Sequence, residues 1–172
     1  MRITFSLVII SLLMLGCGKS EQITPAQKQA EIEHSKMASQ AYGDATTMAK
    51  RNDPAGFLKL YEIATDCSTY TVEYCEVAYD SLSALLYTNN RAWVKTFAKV
   101  DQTKFRETFK GVNDAEVIGV NLPTVEFVGE IIKQLQGFKG NQQEMELVEY
   151  LKSILIPYHE ALRKCTKQNS CN

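Results

Sequence analysis

The stretch TVEYCEVAYDSLSALLYT, residues 71–88, decides the fold. Val72, Cys75, Ala78, Tyr79, Leu82, Leu85 and Leu86 recur in it every three or four positions. That spacing stacks them on one face of an α-helix. Glu73 and Glu76 fall on the exposed side near the helix start, where negative charge meets the positive end of the helix dipole and needs no catalytic explanation.

The same period continues in both directions. Upstream, Asp53-Pro54 is a helix start, with a capping carboxylate and Pro at the first helical position. Phe57, Leu58, Tyr61 and Ala64 follow at helical spacing, and Asp66–Thr71 reads as a turn. Earlier still, Thr24-Pro25 opens a polar, Ala-rich helix. Its thin apolar stripe is Ala26, Ala30, Met37, Ala41, Ala45 and Met48, so loose packing or a stalk is expected. Gly43 interrupts it.

Downstream, Asn89-Asn90 ends the central helix and offers a cap to the next, which carries Trp93, Val94, Phe97 and Val100. Asp101 opens a helix with Phe105 and Phe109 that Gly111 closes. Asn113-x-x-Glu116 is a capping box for a short helix that stops before Pro123. Residues 123–136 form a broadly apolar helix through Val125, Phe127, Val128, Ile131, Ile132 and Leu135, and Gly137 and Gly140 bracket a loop. Asn141-x-x-Glu144 is a second capping box. The last helix follows with Met145, Val148, Leu151, Leu155, Tyr158, Leu162 and Cys165, and Pro157 is expected to kink it.

No long period-two alternation interrupts this series. The expected fold is all-α: a single domain of six to eight helices, either a compact bundle or a short stack of helical hairpins. A weak internal echo favours the stack. Gly56-Phe57-Leu58-Lys59-Leu60-Tyr61 resembles Ala92-Trp93-Val94-Lys95-Thr96-Phe97, 36 residues later, a period that suits helical hairpins.

The amino-terminal stretch has a different character. Arg2 precedes an uncharged run from Ile3 to Leu15, too short for a permanent membrane span and suited to the core of an export signal. It ends in Met14-Leu15-Gly16-Cys17 and passes into the polar Gly18-Lys19-Ser20-Glu21-Gln22. This resembles the signal of bacterial lipoproteins, in which the Cys becomes the acylated first residue of the mature chain. The resemblance implies residues 1–16 as signal peptide, 17–24 as a lipidated tether and 25–172 as a helical periplasmic domain. It implies three acyl chains on Cys17. One myristoyl chain holds a protein only marginally and each buried CH₂ adds about 0.8 kcal/mol, so three would anchor it firmly in the bilayer. Gly18 rather than Asp follows the Cys, and by the family's sorting rule the outer membrane, facing the periplasm, is the expected address.

Cys67, Cys75, Cys165 and Cys171 remain. An even set in an exported chain reads as two disulfides, with the local pairs Cys67–Cys75 and Cys165–Cys171 favoured among three pairings. A metal site is disfavoured, because there is no Cys-x-x-Cys and both His lie far from these pairs in sequence. No cofactor is expected. The balance of 19 Lys+Arg against 20 Asp+Glu argues against a nucleic-acid partner.

Catalytic signatures are absent from the sequence. His34 sits among Glu31, Glu33 and Lys36 as a solvated residue. His159-Glu160 lacks the second His of a zinc-protease helix. No nucleophile elbow, phosphate-binding glycine loop or calcium loop occurs. Charge is patterned, however. Between residues 60 and 90 stand Glu62, Asp66, Glu73, Glu76 and Asp80 with no Lys or Arg. Between 91 and 110 stand Arg91, Lys95, Lys99, Lys104, Arg106 and Lys110 against Asp101 and Glu107. Either neighbouring helices neutralise each other, or an acidic and a basic edge steer a charged partner.

Tyr70, Tyr74, Glu73, Glu76, Trp93 and Lys95 are therefore the candidate partner-binding residues, with the aromatics as anchors, although a Trp placed like Trp93 is more often core than contact. The expected function is that of a non-enzymatic, membrane-anchored protein-binding lipoprotein, either an adaptor for an envelope complex or an immunity-type inhibitor in the periplasm. The alternatives are a cell-wall or lipid hydrolase, and a carrier of small apolar ligands with a cavity among Phe105, Phe109, Phe127 and Ile131.

Overall fold

The computed structural model describes residues 24–111 and 124–168. Among them the chain is all-α, with eight helices and no strand. They are α1 (Pro25–Lys50), α2 (Pro54–Thr65), α3 (Cys67–Tyr70), α4 (Val72–Thr88), α5 (Asn90–Phe97), α6 (Gln102–Gly111), α7 (Val125–Gln136) and α8 (Gln142–Gln168). The short helix expected after Asn113 lies outside the described residues.

The chain divides into a first unit that ends at Ile32 and a body that begins at Glu33. In the first unit, Thr24 and Gln27 form a reciprocal cap. The Gln27 N–H donates to Thr24 Oγ1 at 3.2 Å, and the Thr24 N–H donates to Gln27 Oε1 at 2.8 Å.

In the body, the remaining turns of α1 pack through Ala38, Ala45 and Ala49, all buried. The expected stripe is thus rotated: Met37 is 64% exposed and its neighbour Ala38 is buried. Small side chains win the inward positions because α2 comes very close. A Cβ on Gly56 would lie 2.3 Å from Ala49 N and 2.7 Å from Ala45 O. The turn between the two helices is built for that approach. Asn52 takes φ 64°, which Asn tolerates. Its N–H donates to Ala49 O and the Asp53 N–H to Met48 O, the paired bonds of a Schellman end. Asp53 then caps α2 by accepting from Ala55 N at 2.9 Å.

The expected turn at Asp66–Thr71 contains a one-turn helix instead. The Asp66 carboxylate accepts from Thr69 N at 3.2 Å and from Ser68 Oγ at 2.6 Å, and so caps α3. The Cys67–Cys75 disulfide ties α3 to α4, with Cα atoms 5.6 Å apart. Cys165 is also disulfide-bonded; the expected pairing with Cys171 falls outside the described residues. Asn89 precedes α5 but makes no side-chain cap. Its amide donates to Asn52 Oδ1 at 2.8 Å and links the two turns.

α4 lies at the centre of the body. It packs against α2, α3, α5 and α7; α2 also meets α5, and α8 covers α5 and α7. The core between α2, α5 and α6 is aromatic. Trp93 and Phe97 centroids are 4.4 Å apart, Phe97 and Phe105 5.2 Å, and Tyr61 lies 5.7 Å from Phe97. The indole N–H of Trp93 donates to Leu82 O at 3.1 Å, which satisfies the one polar atom of a side chain only 1% exposed.

The capping box at the start of α8 closes as expected. Asn141 Oδ1 accepts from Glu144 N at 3.0 Å, and Glu144 Oε2 accepts from Asn141 N at 3.2 Å. α8 continues through Pro157 as one helix. The echo between α2 and α5 does not extend to equal burial. Phe57 and Trp93 are both buried, but Leu58 is exposed where its counterpart Val94 is fully buried.

Candidate functional site

The surface of α4 that faces away from α2 carries the first candidate residues. Glu73 and Glu76 are exposed, and Asp80, one turn on, is partly buried. Steps of three and four put all three on one stripe. Burial, and then the neighbouring Glu76, push the Asp80 carboxyl above its usual range. Tyr74 is partly buried at the edge of this helix. Its ring lies 6.1 Å from that of Tyr42, whose hydroxyl shares a 2.8 Å hydrogen bond with Ser81 Oγ. Tyr74 therefore helps seat α1 and presents only its margin.

Two expected anchors are corrected. Trp93 belongs to the core, because Phe97, Phe105 and the Leu82 carbonyl surround it. It offers no surface to a partner. Tyr70 is buried as well. Its hydroxyl donates to Glu62 Oε1 at 2.7 Å and accepts from Lys59 Nζ at 2.5 Å. Lys59 also donates to the same Glu62 oxygen at 2.8 Å. This triad went unnoticed in the sequence. Lys59 and Glu62 are legible as an i,i+3 pair on α2, but only the placement of α3 brings Tyr70 to them. The hydrogen bond from Lys59, and then that from Tyr70, hold the Glu62 carboxyl below its usual range. The Glu62 bond in turn raises the Lys59 ammonium.

Lys95 is exposed on α5, one turn after Arg91, and Lys99 follows in the turn after the helix. Arg91 Nη2 donates to Lys139 O at 3.4 Å, and the guanidinium lies 5.9 Å from the Phe138 ring. Arg106 stacks 4.8 Å over Tyr150, whose hydroxyl returns a hydrogen bond to Arg106 O.

The histidines are placed apart. His34, expected to be solvated, has Nε2 2.5 Å from Thr69 O and so fastens α1 to α3. His159 is partly buried on α8, and its ring edge occupies the space that a side chain at Gly129 of α7 would need. Of the residues expected to line an apolar cavity, Ile131 is buried in the core. Phe105 joins the Trp93–Phe97 cluster, while Phe127 packs on Tyr87 with centroids 4.7 Å apart. The side chain of Phe109 is outside the described residues. Among those residues no cluster of three or more His, Cys, Asp or Glu is poised to hold a metal. No described helix is long and apolar enough to cross a membrane.

Comparison with protein-family models, curated proteins and solved structures finds no match to this chain. The described surface presents an acidic stripe on α4, basic residues on α5 and in the turn after it, and a disulfide beside the former.

Proposed function

We propose that the chain is a bacterial envelope lipoprotein, acylated at Cys17 on the periplasmic side of the outer membrane, whose helical body binds a protein partner without catalysing a reaction. The stretch Met14-Leu15-Gly16-Cys17, after an uncharged run of export-signal length, carries this reading. The Cys67–Cys75 disulfide supports it, since such bonds persist in oxidising compartments and are rare in the cytosol. The mechanism is capture. The anchor concentrates the body at one membrane, and Glu73, Glu76 and Lys95, with the margin of Tyr74, meet the partner.

Such a body serves either as an adaptor that escorts a subunit of an envelope machine or as an inhibitor of an incoming toxin. Capture from envelopes with the anchor intact separates the two. Stoichiometric recovery of a pore or secretion subunit supports the adaptor, and recovery of a toxin supports immunity. Palmitate labelling that is equal in wild type and Cys17→Ser, or capture with no stoichiometric partner, overturns the proposal.

A further inference from the structure

Two rows of opposite charge stand on the body. On α4, Glu73, Glu76 and Asp80 make a stripe about 10 Å long at 1.5 Å per residue. Arg91 and Lys95 stand one turn apart on α5, and Lys99 follows in the turn after it. All six are exposed except Asp80, which is partly buried.

Neither row is neutralised among the described residues. Among the described residues no ion pair joins Glu73, Glu76 or Asp80 to Arg91, Lys95 or Lys99. The pairs Lys59–Glu62, Lys133–Glu130 and Lys152–Glu149 each lie on a single helix, elsewhere. The contacts of Arg91 with the Lys139 carbonyl and the Phe138 ring leave its charge in place. Asp101, two residues from Lys99, turns its carboxylate to the N–H groups of Thr103 and Lys104 and caps α6. Like charges at helical spacing repel one another. The upward push on Asp80 reflects part of that repulsion. Each row is relieved by meeting the opposite sign.

The rows match in number of charges and are opposite in sign. We infer that the cation row Arg91–Lys95–Lys99 docks on the acidic row Glu73–Glu76–Asp80 of a second copy of this chain. A formal net charge of −1 sets almost no overall repulsion between copies. Exposed ion pairs contribute little each, so the contact is weak in free solution. Confinement to one membrane raises the effective concentration and populates it. That last step rests on the anchor proposed above; the pairing of the rows does not.

The test uses two full-length copies with different tags, co-expressed and crosslinked through those tags in isolated envelopes at the stated salt, before the envelopes are dispersed in excess detergent micelles. Wild-type copies co-purify in about 10 mM salt, where charges act over ~30 Å, and lose at least about tenfold of that signal near 1 M, where they act over ~3 Å. The reversed variants E73K/E76K/D80K and R91E/K95E/K99E each fail to co-purify with themselves. Combined, they co-purify again, because each supplies the row that the other lacks. Circular dichroism checks that both stay helical; if either unfolds, E73Q/E76Q/D80N and R91Q/K95Q/K99Q replace them and each loses self-capture. The inference is overturned if wild-type copies fail to co-purify at low salt. It is also overturned if folded variants self-associate like wild type, or if the mixed pair recovers nothing. Capture of a third protein is scored separately, so failure of pairing and failure of partner binding remain distinguishable.

Discussion

Replacing Gly56 by Ala should destabilise the body, whereas the same replacement at Gly43 should stabilise it. Both glycines are helical, and Ala in a helix interior gains about 0.5–1 kcal/mol over Gly from backbone entropy alone. At Gly43 nothing lies within 4 Å of an added Cβ, so only that gain operates. At Gly56 the new methyl would stand 2.3 Å from Ala49 N, 2.7 Å from Ala45 O and 2.7 Å from Met48 Cβ. Two of these atoms are backbone, so no rotamer change relieves the clash, and α1 must move from α2 by roughly an ångström. Overpacking of this kind costs about 1–3 kcal/mol and occasionally more. It also pulls buried Ala45 and Ala49 off their neighbours. The net expectation is a loss of about 1–2 kcal/mol for Gly56→Ala and a gain of about 0.5–1 kcal/mol for Gly43→Ala. In a chain of this size each kcal/mol moves Tm by about 2–4 °C. Thermal unfolding followed at 222 nm, with disulfides intact, should show shifts of opposite sign. Equal upward shifts at both positions would refute the close approach of α1 and α2.

Three further outcomes follow from the same geometry. Thr71 holds φ 65° and ψ 150°, a region that suits Gly and costs other residues about 1–3 kcal/mol; Thr71→Gly should therefore stabilise by about 0.5–1 kcal/mol in urea unfolding, and a loss would show that the conformation is unstrained. The Cys67→Ser/Cys75→Ser double variant opens a loop spanning 8 positions and should lose about 2–3 kcal/mol in the same assay, while an unchanged midpoint would count against the tie between α3 and α4. Asp80 has its folded-state carboxyl raised above the usual 3.8, so its ionisation disfavours the folded state. The penalty is absent below the unfolded-state value, grows as pH rises from there to the folded-state one, and is fully present above it. Asp80→Asn should accordingly stabilise at pH 7 and lose that advantage near pH 3, as read from unfolding midpoints at the two pH values; an advantage independent of pH would assign the effect to packing.

The helices were legible because burial imposes a period. Leu82, Leu85 and Leu86 must share a face to leave water, and any sequence that meets this demand announces it. Caps were legible for a similar reason. The bonds between Asn141 and Glu144 are local, and their geometry needs only three residues. Three misses have one cause. The one-turn helix α3 is too short to show a period and exists because Asp66 caps it. The inward face of α1 runs through Ala45 and Ala49 because Gly56 of another helix approaches its backbone there. Tyr70 left the surface because α3 carried it to Lys59 and Glu62. Each depends on something single-helix spacing does not encode: a length below one period for α3, and a partner remote in space for the other two.

The candidate surface was legible in its charges and not in its anchors, and the difference is physical. An aromatic residue is drawn inward wherever a cavity admits it, so an indole on an amphipathic helix such as α5 marks the core before it marks a partner; Trp93, bonded to the Leu82 carbonyl, follows that rule. A carboxylate or ammonium resists burial, so Glu73, Glu76, Lys95 and Lys99 stay outside whatever the tertiary arrangement. For a helical body of this kind, the charges on the outward stripes are therefore the part of an interface that sequence locates reliably, and pairing between stripes is what the fold must supply. Here α4 and α5 turn their charged stripes outward without neutralising each other, which leaves both rows available to a second molecule.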